Sequence, residues 1–493
     1  MQRFVRVLQK LGIVMAVLLI SWGTAKAQSW AAVTPFPGLG AGTAILRTDG
    51  NVMVEEVDTT GYATGNWYVL VPNSAGKYES GTWLLETSTS SLGYAPLYFG
   101  SAVLPDGRIV FEGGEYNFSS KDDTTLGFVY DPYSGFTGTW TSISPPSGWT
   151  KIGDAPTVVL ARGQFMLGSC CSHQEALLNA STLTWTTTGS GKADSNSEEG
   201  WTLLPKATGN EVLTVDTQNG KESELYNPSG GTWSLAGNTP SFLGNKCGMA
   251  IVPEMGPAVL RPDGTVFAAG ANNKTAIYSS STGKWSAGPS FPTGYGVADG
   301  PAAILPDGNV LVQASNIDPC FYPPSLYYEF DGTNLNLVPG PLNAASEASY
   351  TSRMLVLPHG GHILHTDGTT DVEIYTPAGS AKSAWKPVIT SYPATITTGT
   401  TYTIKGTQFN GVSQGAAYGD DAQSATNFPL VRLTLGGSTY YLPTSNFSSM
   451  GVQTATQVVS ANFNLPISLG TGSGTLEVVT NGIASAAVKV KVK

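Results

Sequence analysis

Apolar residues along this chain come in short runs rather than long helical stretches. One unit recurs: an apolar run, a turn rich in Pro, Asp and Gly, then a second apolar run. Seven copies have their turns at Leu46, Leu104, Leu160, Leu204, Leu260, Leu305 and Leu357, spaced 58, 56, 44, 56, 45 and 52 residues apart. The Asp-Gly step suits a hairpin, because glycine reaches positive φ without a Cβ clash. Two further strand signals follow each turn. The third strand carries a tyrosine in six copies: Tyr68, Tyr130, Tyr226, Tyr278, Tyr328 and Tyr375. The fourth carries a tryptophan in five: Trp83, Trp140, Trp185, Trp233 and Trp285, with Leu335 and Leu337 standing in for it in the sixth copy. Four antiparallel strands at this period predict a propeller blade whose aromatics fill the wedges between sheets.

The seventh copy has no obvious fourth strand after Tyr375. The segment from Ser29 to Pro35 matches that strand's pattern, with Trp30 at the marker position. It is expected to complete the last blade and close the ring, which removes open sheet edges. The predicted fold is all-β: a seven-bladed β-propeller over 28–385, then an immunoglobulin-like β-sandwich over 386–493. The sandwich is read from alternating strands near 401–405, 430–434 and 486–492.

The first 27 residues read as an export signal. Arg3, Arg6 and Lys10 precede an apolar stretch from Leu11 to Trp22, and Ala25 and Ala27 frame an A-x-A cleavage site. The stretch is too short to span a bilayer comfortably. The mature protein is expected to be secreted, periplasmic or on the cell surface, with no membrane insertion after cleavage.

Composition narrows the partners. Only 12% of the 493 residues are charged, and the net charge is 25 − 35 = −10. Without the first 27 residues it falls to 21 − 35 = −14. A chain this acidic is a poor match for nucleic acid or anionic membrane, which need a basic surface.

The blade motif from Ser101 to Gly114 (SAVLPDGRIVFEGG) resembles a kelch repeat. Seven such blades followed by a sandwich resemble the galactose oxidase and glyoxal oxidase group. The run 406–421 resembles uncharacterised bacterial secreted kelch-type proteins. The oxidase resemblance implies one copper ion held by two tyrosines and two histidines, with a cysteine bonded to one tyrosine. Tyr98 and Tyr350 match the tyrosine places. Thr351 stands where a histidine belongs, no histidine follows His365, and the segment 40–42, where the cysteine belongs, is Gly-Ala-Gly. Copper needs nitrogen or sulfur donors, so neither copper nor radical oxidase activity is expected.

Other chemistry is sparse. No G-x-S-x-G, Walker or H-E-x-x-H motif occurs. His359 takes a turn position that is Asp elsewhere, and His362 and His365 point to opposite faces of one strand. Asp420, Asp421 and Asn427 offer oxygen ligands for calcium, or cap turns in their loop.

Strand order places the Asp-Gly turns on the bottom face and the loops leading into each blade on top. Cys247 falls in the loop leading into blade 5, and Cys320 in the strand 2–3 loop of its neighbour, so the two are expected to pair. Cys170 and Cys171 are left to form a vicinal disulfide or remain reduced. The loops leading into the blades also carry Asp154, Glu198, Glu199, Glu254 and Asp299 near a shared register, with Tyr98 and Thr351 in the same column. This column is expected to open beside the central axis. Its acids either bond to backbone amides and fix the ring, or form a cation or polyol site flanked by Tyr98 and Tyr350. The leading functional expectation is an exported module binding a glycan or a protein through the top face. The alternatives are an oxidase-like enzyme with a rebuilt site and a structural surface component.

Overall fold

The computed structural model describes residues 28–135, 137–248, 253–419 and 424–493. The export signal lies outside them. Regular structure among the described residues is strand, apart from four single-turn 3-10 segments such as Ser349–Thr351. No helix among them is long and apolar enough to cross a membrane.

Seven antiparallel sheets form a β-propeller: six are four-stranded, and the sheet of blade 6 is extended to six strands by Tyr295–Gly296 and Ala416–Ala417. Their innermost strands are Ala41–Leu46, Gly100–Val103, Thr157–Val159, Thr202–Leu203, Ala258–Leu260, Ala302–Ile304 and Arg353–Val356. These abut their neighbours around the axis and are buried on both faces, so they show no polar alternation. Outermost strands alternate, as a half-solvated strand should. The turn glycines Gly50, Gly107, Gly163, Gly209, Gly264, Gly308 and Gly360 all have positive φ, between 71° and 93°.

The aromatic markers pair across strands: Tyr130 faces Trp140, Tyr226 faces Trp233, Tyr278 faces Trp285 and Tyr328 faces Leu337. Blade 1 is shifted, with Trp83 opposite Leu70. The tryptophans also join blades. The indole N–H of Trp140 donates to Thr87 Oγ1 (3.2 Å), that of Trp185 to Ser144 O (2.9 Å) and that of Trp285 to Ser223 Oγ (2.8 Å), each on the preceding blade. The seventh blade runs Arg353–Val356, Ile363–Thr366, Glu373–Thr376 and then Ser29–Ala32. Both ends of the propeller thus share one sheet, and Trp30 donates to Pro339 O of blade 6 at 2.6 Å.

Beside blade 2, Pro96–Leu97, Tyr116–Asn117 and Ser120–Lys121 form a small three-stranded sheet, and the strands after residue 387, apart from Ala416–Ala417, build two sheets. One runs Val388–Ser391, Thr401–Thr407, Val458–Asn464, Thr444–Ser445; the other is centred on Leu430–Leu435, Gly472–Thr480 and Val488–Val492. Ile404, Val459 and Phe463 of the first share a core with Leu433, Leu476 and Val490 of the second. One stretch of this layer tracks across successive bottom turns. Thr444 N donates to Thr48 O (3.2 Å), Phe447 N to Pro105 O (2.9 Å) and Met450 N to Ala161 O (2.9 Å). Val452 O then accepts from Lys206 N (3.3 Å), and Gln453 Nε2 donates to Arg261 O (2.8 Å). Turns of five consecutive blades are occupied this way, which leaves the top face as the open end.

From the same layer a segment enters the axis. Ala416–Ala417 pairs with Ala302–Ala303 of the blade 6 inner strand, and Gln414 Oε1 accepts from Leu203 N of blade 4 at 2.7 Å. Small side chains suit this narrow space. The cavity left beside the segment is about 40 Å³, lined by Thr157, Trp201 and Ala258. That is room for water, not for a ligand.

Candidate functional site

Six residues before the turn leucines stand Gly40, Tyr98, Asp154, Glu198, Glu254, Asp299 and Thr351. The column is therefore in strict register. Tyr98, Glu198 and Asp299 hold left-handed backbone, at φ 53°, 56° and 37°. Each such residue costs about 1–3 kcal/mol and persists only where its surroundings dictate it.

The structure divides the column into three groups. Glu198, Glu254 and Asp299, from three consecutive blades, each place a carboxylate oxygen within 4.8 Å of the others. Asp154 instead lies with Asp123 and Cys170. Lys151 Nζ holds Asp123 Oδ2 at 2.5 Å. Glu199 departs from the column altogether. It is fully buried, and its oxygens meet Lys192 Nζ (3.0 Å) and Trp201 Nε1 (3.0 Å). Glu198, in left-handed backbone, reaches the acidic trio, while Glu199 is taken up by Lys192 and Trp201. Burial pushes the Glu199 carboxyl up to about 7, opposed by the Lys192 charge.

Lys192 centres a buried network that the sequence did not reveal. It also meets Glu224 Oε2 at 3.2 Å and lies 5.2 Å from the Trp233 ring centre. The Trp233 indole N–H, unlike those of the other marker tryptophans, is buried without an acceptor among the described residues. Asp216 lies in the same group with Asp194 and Glu199. Burial, then repulsion from Glu224 and Glu199, pushes Asp216 up to about 8. In sequence Lys192 sits in a Gly-Ser-Gly-Lys loop that reads as surface.

The aromatic side of the site is built on Arg353. Its guanidinium lies 3.7 Å from the Tyr418 ring centre and 5.5 Å from that of Tyr98, and is buried. It donates to Tyr350 O (3.0 Å), which also accepts from Tyr418 Oη (2.8 Å). Tyr418 belongs to the axial segment, so the C-terminal layer contributes to the top of the propeller. Next to it, Gly419 packs against Asp299: a Cβ there would lie 3.0 Å from Asp299 Oδ1. Ser349 Oγ donates to Ala298 O at 2.9 Å, which sets Tyr350 beside the Asp299 loop. Tyr350 itself is 41% exposed and meets Phe321 edge-on at 5.9 Å. Neither Arg353 nor Tyr418 emerged from the sequence. The available signal was an arginine opening the otherwise apolar run Arg-Met-Leu-Val.

Cys247 and Cys320 form the expected disulfide, with Cα atoms 5.0 Å apart. Cys170 and Cys171 are joined as a vicinal disulfide. Asp420 and Asp421 lie outside the described residues. Asn427 is buried and donates to Met450 O at 2.9 Å. His365 is buried against Glu347 Oε1 (2.8 Å) and Tyr327 Oη (2.9 Å).

No family model matches the chain, and no curated protein does. Among solved structures the chain is similar to a fungal alcohol oxidase of the AA5 family determined with copper. The identity is 15%, over 95% of this chain and 100% of that one, with a TM-score of 0.50. It is also similar to a streptogramin B lyase (11% identity, 71% and 97% covered, TM-score 0.47) and to virginiamycin B lyase from Staphylococcus aureus (9%, 71% and 99%, TM-score 0.45). The oxidase match supports the propeller fold and its C-terminal layer.

The copper of that oxidase does not fit the residues here. The converging groups are carboxylates, and between Tyr98 and Tyr418 lies a buried guanidinium, a fixed positive charge that repels a cation. His365 is committed to Glu347 and Tyr327. A nitrogen-poor set of this kind is unsuited to copper.

Proposed function

We propose that this is an exported binding module that recognises a neutral polyol, in the form of a glycan, on the top face of a kelch-type propeller. We read the two C-terminal sheets as an immunoglobulin-like sandwich that caps the bottom. The observation that carries the reading is the meeting of Glu198, Glu254 and Asp299 within 4.8 Å beside the exposed ring of Tyr350. Carboxylates accept hydrogen bonds from vicinal hydroxyls, and an aromatic face covers the C–H side of a sugar ring. The bottom face is engaged by the C-terminal layer, so the top is the surface left for a partner. Glu199 serves the fold through Lys192, and Asp154 stands at the rim.

The test is a glycan array with the parent protein and with Glu254→Gln and Asp299→Asn, alongside calorimetric titration with calcium. Array binding by the parent that weakens at least roughly tenfold in both variants supports the reading. Binding that survives both changes unaltered overturns the assignment. A fall in thermal stability alone assigns these acids to ring packing, and calcium binding without glycan binding makes the ligand a cation.

A further inference from the structure

The vicinal disulfide lies where two column loops meet. The segment 169–174 is the strand 2–3 loop of blade 3. Cys170 N donates to Ile152 O (2.8 Å), two residues before Asp154, and Ser169 Oγ donates to Lys151 O (3.0 Å). On the other side Cys171 N donates to Asn196 O (3.0 Å), and Asn196 N donates to Ser172 O (2.7 Å), two residues before Glu198. Cys171 Sγ lies 3.6 Å from Ser197 Oγ. Cys170 is packed against Gly153, where a Cβ would come within 2.8 Å of its own Cβ. One short loop therefore holds both the Asp154 and the Glu198 loops.

The bond itself adds little to the fold. A disulfide stabilises by closing a loop of chain in the unfolded state, and adjacent cysteines close none. Cys171 is exposed while its bonded neighbour Cys170 is buried; in the other disulfide both Cys247 and Cys320 are buried. A bond without a loop to close, reachable from solvent on its Cys171 side and tied to both flanking loops, has the attributes of a control element.

We propose that the Cys170–Cys171 disulfide is a redox latch on the top-face site. Closed, it holds the Asp154 and Glu198 loops in register; opened by a dithiol, it releases both and weakens ligand binding. In the opening step a dithiol gives up two electrons and two protons and becomes a cyclic disulfide. The bond between Cys170 Sγ and Cys171 Sγ breaks, and both sulfurs leave as thiols. The control of binding rests on the polyol reading above; the movement of the loops does not.

The experiment uses the mature protein in three forms: oxidised, treated with dithiothreitol until two thiols are counted, and the Cys170→Ser/Cys171→Ser variant. Amide exchange is followed at 150–154 and 193–198, and each form is put on an array of neutral glycans. Exchange in both segments should quicken roughly tenfold on reduction. The variant should exchange fast without reductant and respond no further. The array signal should fall roughly fivefold or more in both opened forms. Equal exchange in all three forms overturns the latch, whatever the array shows. Loosened loops with an unchanged array signal overturn its control of the site. Loosened loops with a blank array for the oxidised protein leave the redox movement standing and overturn the glycan reading instead.

Discussion

Trp30 stands directly opposite Tyr375 on the paired strand, with ring centres 5.0 Å apart, so the start of the propeller and its end are stitched into one blade. The stitch also shields the buried His365, whose ring meets Trp30 edge-on at 5.5 Å. Removing residues 28–35 should open the ring and expose a blade edge. Trp30→Ala alone is expected to cost about 2–4 kcal/mol, toward the lower part of the range for large aromatic truncations because the indole is half-buried. Chemical denaturation checks the size, and increased aggregation of the truncated chain checks the exposed edge. A truncation that leaves the midpoint unchanged refutes the closure.

The His365–Glu347 pair makes the seventh blade pH-sensitive. Burial alone would pull the imidazole down, but the Glu347 carboxylate outweighs it and the pKa is raised above its ordinary 6.5. Burial would push Glu347 up, yet His365 and the hydroxyls of Ser352 and Tyr327 bring it below its ordinary 4.5. The histidine's contribution is full below 6.5 and fades as pH rises through its raised folded pKa. The glutamate's is full above 4.5 and fades as pH falls through its lowered one. His365→Gln should therefore cost most between pH 4.5 and 6.5, by about 3 kcal/mol, and progressively less above that window. Melting curves of both proteins from pH 4 to about 9 read this directly. A difference that grows with pH contradicts the assignment.

The two disulfides should separate by function. Cys247 and Cys320 are 73 residues apart, and closing a loop of that length contributes about 4 kcal/mol in the chain-entropy account. Replacing both with serine should lower the unfolding midpoint sharply. Replacing Cys170 and Cys171 should leave it within about 0.5 kcal/mol, since no loop is lost. Equal losses from the two double variants contradict this division.

Much of the fold was legible because it repeats. Hairpin glycines, third-strand tyrosines and fourth-strand tryptophans are local signals, and seven copies average out their irregularities. Trp30 could be placed because it fits a vacancy in that pattern. The site was only half legible. The register of Glu198, Glu254 and Asp299 is a property of the repeat, but the partner that takes Glu199 away, Lys192, comes from a polar loop with no place in the repeat pattern. The axial segment stayed hidden for a different reason. Its small residues, Gly415 to Ala417, have no apolar alternation, and their partners lie more than a hundred residues away in blades 4 and 6. Arg353 was equally silent, since a buried guanidinium is defined by the rings around it and not by its sequence neighbours.

Asp216 gives the Lys192 network a distinctive pH signature. Both carboxylate oxygens are buried without a hydrogen-bond partner among the described residues, and the group is held at about 8. A carboxyl whose folded pKa lies above its unfolded value binds more protons folded than unfolded, so stability falls as pH rises from about 4 to about 8 and levels off beyond. Asp216→Asn, similar in shape and never ionised, should remove that slope. It should stabilise the protein by about 2 kcal/mol at pH 8 and change little at pH 4. Parallel melts at the two pH values decide it, and an amide variant less stable at pH 8 would show that the carboxylate is needed in its charged form.

Arg353 is the residue on which the top of the axial segment depends. Its guanidinium carbon lies over the rings of both Tyr418 and Tyr98, and a desolvated contact of this kind is worth about 2 kcal/mol. Lysine keeps the charge but loses the planar group and the Nη1 that donates to both Tyr350 O and Ser352 O. Arg353→Lys should therefore loosen the tip while the blades remain intact: exchange at 413–419 should rise while that of the outer strands is unchanged. Tyr418→Phe keeps the ring and loses the bond to Tyr350 O, so it should cost about 1 kcal/mol and leave the stack in place. If the lysine variant protects 413–419 as well as the parent does, the segment is held without the stack, by its pairing with Ala302 and Ala303 and by the Gln414 bond to Leu203. The stack at the top would then be a consequence of its position and not the cause.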